Sequence, residues 1–88
     1  MKSWADEAWD DYLAWQEQDK KTLRRINALI KDIERNGSLV GIGHPEALKG
    51  NLQGFFSRHI DKKNRLVYQV EGEQIYIAQC KTHYDDHY

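Results

Sequence analysis

The first apolar stretch of the chain has the spacing of an amphipathic helix. Trp9, Tyr12 and Leu13 lie three and four positions apart and predict one helical face. We expect Asp6 to cap this helix. The polar run 16–19 has no apolar anchor, so the helix is predicted to end there.

A second helix follows with a clearer pattern. Its predicted inner face consists of Leu23, Ile26, Ile30 and Ile33. Asp19 is the expected N-cap and Asn36-Gly37 the expected end, because glycine is favoured just after a helix. The first half of the chain is therefore predicted to form a helical hairpin.

The second half changes to strand patterns. Three segments rich in β-forming residues are separated by turn residues at 61–64 and 71–73. The predicted strands are 51–60, 66–70 and 74–80, and residues 1–4 are a candidate edge strand. The resulting fold class is α+β, with two N-terminal helices packed on a small antiparallel sheet.

Composition restricts the class of protein further. The 88 residues are enough for one domain, which we place at 1–84, followed by a short tail at 85–88. We expect no transmembrane helix and no leader segment, hence a cytoplasmic protein. The single Cys80 excludes an internal disulfide, and we interpret it as a buried, inert thiol. The four scattered histidines and the glycine spacing give no metal, P-loop or dinucleotide motif, so no cofactor is expected.

The near-neutral net charge of −1 hides an uneven distribution. Residues 1–19 hold one lysine and six acidic residues, whereas 20–35 and 49–65 each carry a net charge of +4. The charges of 20–35 are consistent with a solvated helix face. Those of 49–65 favour contact with a polyanion such as RNA.

Residues suited to acid–base and phosphate chemistry lie where a meander would bring them together. They are Glu46, Lys49, Arg58, Arg65, His83 and Tyr84. Cleavage of RNA without a metal needs a base for the ribose 2′-OH, cations for the phosphate and an acid for the leaving 5′-oxygen. Spacing alone does not separate such a site from ordinary surface charges.

Ordered matches along the chain resemble the Txe/YoeB family of bacterial toxins, within the RelE/ParE superfamily. The matching segments are 9–12, 15–16, 19–20, 26–32, 41–49, 52–58 and 64–68 and the pair His83-Tyr84. The resemblance implies a RelE-like fold and a toxin that cleaves mRNA on the ribosome and so stops translation. It also implies a homodimer and a YefM-like antitoxin as partners.

The same resemblance assigns roles to residues. Glu46 would be the general base, His83 the general acid and Arg65 the group that stabilises the transition state. Lys49 and Arg58 would support the phosphate, and Tyr84 would position or stack on the RNA. The alternative is a non-catalytic member of the superfamily, either a ParE-like protein-binding toxin or an antitoxin-bound transcriptional corepressor.

Two features depart from the family pattern. His59 stands where the family commonly has a second arginine, which predicts weaker attraction of phosphate. The chain also continues beyond Tyr84 and repeats the pair as His87-Tyr88. We favour His83 as the acid because it follows the last predicted strand closely, whereas chain ends tend to fray.

Overall fold

A computed structural model describes residues 1–82 as two helices packed on one face of a five-stranded sheet. The elements in chain order are β1 (Lys2–Trp4), α1 (Asp6–Gln18), α2 (Lys20–Asn36), β2 (Glu46–Ala47), a short 3₁₀ helix (Gly50–Leu52), β3 (Phe56–His59), β4 (Arg65–Glu71) and β5 (Gln74–Gln79). Within the described residues, no helix is long and apolar enough to cross a membrane. The predicted α+β class is confirmed.

The strand order is β1-β5-β4-β3-β2. Strands β3, β4 and β5 pair antiparallel, as the meander pattern predicts, but β3 is shorter than the predicted 51–60 because its first part forms the 3₁₀ helix. Strand β2 adds antiparallel to β3, and the candidate edge strand at the N-terminus is present as β1. It pairs parallel with β5, so the sheet is mixed. Strand β2 has only two residues and follows Pro45, which explains why the sequence pattern did not reveal it.

The boundaries and most of the buried face of α2 are as the sequence predicts. Asp19 separates α1 from α2 as predicted, since its carboxylate accepts hydrogen bonds from the backbone N–H of Lys21 and Thr22. Gly37, with φ of 90°, ends α2. Three of the four residues of the predicted α2 face are buried: Ile26, Ile30 and Ile33.

The predicted inner face of α1 is confirmed at Tyr12 and wrong at Trp9 and Leu13. Ala8 is fully buried and Tyr12 and Trp15 pack against the core, whereas Trp9 is 43% exposed. Small Ala8 allows α1 to approach the sheet closely, and its carbonyl accepts a hydrogen bond from the Cys80 thiol. Asp6 is also not the N-cap: the helix begins at this residue, and Ala5 precedes it without a side-chain cap.

Arg58 lies at the centre of the fold with no exposed surface. Its Nε donates to the Tyr68 hydroxyl at 2.9 Å, and Nη1 donates to the Asp32 carboxylate at 2.5 Å. The remaining hydrogen bonds go to the backbone oxygens of Gly37, Val40 and Ile42. All five donors of the guanidinium therefore have acceptors, and they join α2, β4 and the loop 37–42.

Two glycines, one in this loop and one directly after it, let the backbone lie close to the buried ion pair and to α2. A Cβ at Gly41, where φ is +130°, would stand 1.7 Å from the Asp32 carboxylate. A Cβ at Gly43, where φ is +83°, would meet Leu29 at 2.7 Å. A side chain at Gly41 or Gly43 would overlap these neighbours, so the backbone could not pack over Arg58 as it does.

Ser57 is a buried polar residue on the face of the sheet opposite the helices. Its Oγ is the one buried side-chain oxygen or nitrogen in residues 1–82 without a hydrogen-bond partner. On β3 it alternates with Arg58, which points towards the core, so Ser57 faces away from the helices.

We predict that Arg58→Ala strongly destabilises the fold. The substitution removes the buried charge that pairs with Asp32 and the donors to Tyr68 and to three backbone oxygens of the loop, and we expect the free energy of unfolding to fall by about 3–5 kcal/mol. Urea denaturation followed by circular dichroism measures the change. Arg24→Ala, at an exposed position of α2, is the control and should alter stability by less than about 0.5 kcal/mol. Equal effects of the two substitutions would contradict a structural role of Arg58.

Asp32 should make stability depend on pH in the acid range. The hydrogen bond from Arg58 lowers the pKa of its carboxyl below the ordinary value of 3.8, assisted by Ile42 N–H and the Asn36 amide and opposed by burial. A lowered folded-state pKa contributes stability that is present above about pH 3.8 and lost as the pH falls below it. Unfolding curves between pH 5 and about pH 3 should therefore be less steeply pH-dependent for Asp32→Asn than for the unmodified chain. Exposed Asp10→Asn is the control, and parallel pH profiles for Asp32→Asn and the unmodified chain would exclude this contribution.

Ser57→Ala should stabilise the protein. A buried hydroxyl without a partner loses its hydration and gains nothing, so its removal should raise the free energy of unfolding by about 1 kcal/mol. The same urea measurement applies, with exposed Ser3→Ala on β1 as the control. A loss of stability on Ser57→Ala would mean that the hydroxyl has a partner in solution.

Candidate active site

The face of the sheet opposite the helices brings distant residues into two neighbouring rows. In the first row Glu46 on β2 pairs with Ser57 on β3, which pairs with Val67 on β4. In the second row His59 pairs with Arg65. Because paired residues project to the same side and alternate residues share a face, Glu46, His59 and Arg65 lie on one surface.

Glu46 lies at the open side of this surface. It is exposed, and it lines an open pocket of about 450 Å³ together with His44, Pro45 and His59. The backbone N–H of His59 donates to the carbonyl of Gly43 at 2.7 Å, which holds the segment before β2 against β3. The Glu46 carboxylate is thus exposed to solvent, on a strand that pairing with β3 and the hydrogen bond to Gly43 hold in place.

Arg65 is held by the turn that precedes β4. Arg65 is only 9% exposed. Its Nη1 donates hydrogen bonds to the backbone oxygens of Asp61, Lys62 and Asn64 at 2.7–3.3 Å. Among the described residues, all the hydrogen bonds of this guanidinium leave from Nη1. The arrangement orients the cation before any ligand arrives.

The turn itself is fixed by Asp61 and Asn64. Burial acts to raise the pKa of the Asp61 carboxyl, but hydrogen bonds from Asn64 and Lys63 outweigh it and the pKa is lowered. The ionised carboxylate therefore remains available as an acceptor for the turn that holds Arg65 in place.

The chain after β5 returns to the turn before β4, next to Arg65. The backbone N–H of Thr82 donates to the Asn64 side chain at 2.7 Å, and the N–H of Arg65 donates to the carbonyl of Thr82 at 3.0 Å. Thr82 is the last described residue, so His83 and Tyr84, the predicted acid and RNA contact, lie outside the described residues, as does the alternative acid His87.

Backbone strain is found at both sides of this surface. In residues 1–82, His44 and Thr82 are the residues other than glycine with positive φ, at 52° and 59°. Such conformations are costly and tend to occur where function requires a particular geometry. His44 precedes Glu46 by two residues, and Thr82 contacts Arg65.

The other sequence-predicted residues are placed differently. Lys49 is exposed two residues beyond β2, on the loop side of Glu46. Arg58 does not reach this surface, because it lies on the helix side of β3 with every donor engaged. The expectation that Arg58 supports a phosphate is therefore corrected: it supports the loop and the sheet. The alternation of Phe56 and Arg58 along β3, continued by Ile60 just after the strand, was the available signal.

Sequence analysis missed the pairing of His44 with His59. Their ring centroids are 5.2 Å apart with the planes tilted by 52°. Cys80, by contrast, is buried as predicted, and burial raises the pKa of its thiol to about 12, so it remains protonated and unreactive. Residues 1–82 contain no group of three His, Cys, Asp or Glu side chains placed to hold a metal ion.

Comparison with known proteins places this geometry in a family. The model of the family described as "YoeB-like toxin of bacterial type II toxin-antitoxin system" matches residues 4–84. The chain is 52% identical over 81 residues to Toxin YoeB of Escherichia coli K12, covering 92% of this chain and 95% of that relative.

Solved structures give the same result. The chain matches the heterotetrameric YoeB-YefM toxin-antitoxin complex of Staphylococcus aureus with a TM-score of 0.92 and 49% identity, covering 96% of this chain and 97% of that one. It matches the YoeB dimer of the same organism with a TM-score of 0.89 and 49% identity, covering 94% and 95%. The fold expected from the sequence is thereby confirmed, and the chain belongs to the family of YoeB-like toxins of bacterial type II toxin–antitoxin systems.

Proposed function

We propose that this toxin is a ribosome-dependent mRNA endonuclease that cuts by attack of a ribose 2′-OH on the adjacent phosphate. The observation that carries the proposal is the shared surface of Glu46 and Arg65, placed on adjacent rows of the sheet beside Thr82. It presents a solvent-accessible carboxylate and a cation oriented in advance, the two groups that the first half of the reaction requires.

Glu46 is the proposed general base. Its carboxylate takes the proton from the 2′-OH, and the resulting oxygen attacks phosphorus while the bond to the 5′-oxygen breaks. The product is a 2′,3′-cyclic phosphate or, after hydrolysis, a 3′-phosphate. Exposure of Glu46 at an open pocket leaves room for a nucleotide to reach it.

Arg65 is the proposed stabiliser of the charge that develops on the phosphate. A guanidinium fixed by three backbone acceptors needs little rearrangement when that charge appears, and such preorganisation makes electrostatic catalysis effective. Lys49 is proposed as an additional phosphate contact, since it is exposed near Glu46.

His83 is the proposed general acid, and Tyr84 is proposed to position the RNA. Both follow Thr82, whose backbone is hydrogen-bonded to Asn64 and Arg65. The proposal of His83 as the acid is supported by this anchoring of Thr82, the residue that precedes it in the chain.

We further propose two protein partners and a location. The Staphylococcus aureus relatives are a YoeB-YefM complex and a YoeB dimer. At 49% identity, this chain is proposed to bind a YefM-like antitoxin and to form a homodimer. Its target places it in the cytoplasm.

Replacement of the base tests the proposal. Glu46→Gln keeps the size of the side chain and removes its basicity, so single-turnover cleavage of mRNA on purified ribosomes should slow by about 10²–10⁴-fold. Mapping of RNA ends should place the cuts of the unmodified toxin inside translated codons, with cyclic or 3′-phosphate ends.

Glu71→Gln is the matched control, since Glu71 is an exposed carboxylate at the opposite end of β4 from Arg65. It should cleave at the unmodified rate. If growth stops while the mRNA stays intact, the toxin acts by binding protein or DNA-associated targets and the endonuclease proposal fails. If Glu46→Gln cleaves normally, another group is the base.

A further inference from the structure

The pair of histidines beside Glu46 is not used by the proposed mechanism. His44 and His59 come from different segments, and both line the pocket that contains Glu46. Their ring centroids lie 5.2 Å apart. His44 adopts a left-handed backbone conformation with φ of 52°, which residues other than glycine rarely adopt.

The two rings are also close to the proposed phosphate site. His59 is the cross-strand partner of Arg65 on the same face of the sheet. Side chains of such pairs have Cβ atoms about 4.5–5.5 Å apart. The row therefore runs from His44 through His59 to Arg65, beside Glu46.

Charged groups surround the pair from several elements. Glu46 of β2 shares the pocket, Arg65 of β4 lies opposite His59, and Arg25 of α2 donates from Nη2 to the backbone oxygen of His59 at 3.3 Å. Arg58 of β3 points to the other face and is neutralised by Asp32. His83 lies outside the described residues.

We propose that His44 and His59 form a second phosphate subsite, which binds an RNA phosphodiester next to the scissile one and takes up protons as it does so. The inference rests on the proposed function and deepens it. Two imidazolium rings this close repel each other, and neighbouring arginines add to the repulsion. An anionic phosphate that accepts hydrogen bonds from both rings offsets that repulsion and favours the protonated, hydrogen-bond-donating form of both.

The consequence is an RNA affinity that depends on pH through the pair. Histidine is the side chain whose charge ordinarily changes between about pH 5 and pH 8. If binding one phosphate is coupled to uptake of one proton, the dissociation constant rises about tenfold for each pH unit above that change. A site built from lysine and arginine alone would show no such dependence.

The test uses ribosomes programmed with an mRNA whose A-site codon carries 2′-O-methyl groups, so that it binds without being cut. Dissociation constants are measured at pH 6 and pH 8 for the full chain, for His44→Gln/His59→Gln and for His44→Lys/His59→Arg. His83 and His87 are unchanged in all three proteins, so differences between them report on the pair. Circular dichroism confirms that each variant is folded.

We expect the unmodified chain to bind at least tenfold more tightly at pH 6 than at pH 8. The Gln variant should bind weakly at both values, and the Lys/Arg variant should bind tightly at both. If the unmodified and Gln proteins have the same constants at both pH values, the subsite is refuted while cleavage of an unmethylated codon still supports the endonuclease. If no protein binds ribosomes and no codon is cut, the proposed function fails and the subsite with it.

Discussion

The buried guanidinium of Arg58 is the interaction on which the arrangement of this molecule depends. A cation in the interior is stable only when every donor has a partner, because its lost hydration is otherwise uncompensated. Here the partners come from α2, from β4 and from the loop 37–42. The loop leads directly into His44 and β2, so the position of Glu46 is linked to a charge pair on the other side of the sheet.

Strand register then determines which side chains meet. Glu46, Ser57, His59 and Arg65 share a face only because β2, β3 and β4 pair as they do. A slip of one residue in β3 would exchange Ser57 and His59 for Arg58, exposing the cation and burying a histidine. The cost of exposing the Arg58 network therefore protects the register, and with it the geometry of the candidate site.

The sequence predicted local features more accurately than those that depend on long-range contacts. Helix α2 and the Asp19 cap could be predicted because their signals lie within a few residues. The inner face of α1 could not, since Trp9 and Trp15 both have large apolar rings and only packing against the sheet separates them. Arg58 was taken for a surface cation because its charge was considered without its alternation with the apolar Phe56 and Ile60. The histidine pair depends on the pairing of β3 with the segment before β2, which spacing does not reveal.

The strand order has a consequence for how the molecule is made. Within residues 1–82, β5 is the last strand in chain order, and it lies between β4 and β1, the first strand. Strand β1 thus remains without its partner until β5 has been translated, and contacts of such high sequence separation form slowly. A nascent chain that lacks β5 has neither the pairing that joins β1 to the rest of the sheet nor the Thr82 contact to Arg65. For a protein proposed to attack ribosomes, this topology delays assembly of the site until β5 has emerged from the ribosome that produces it.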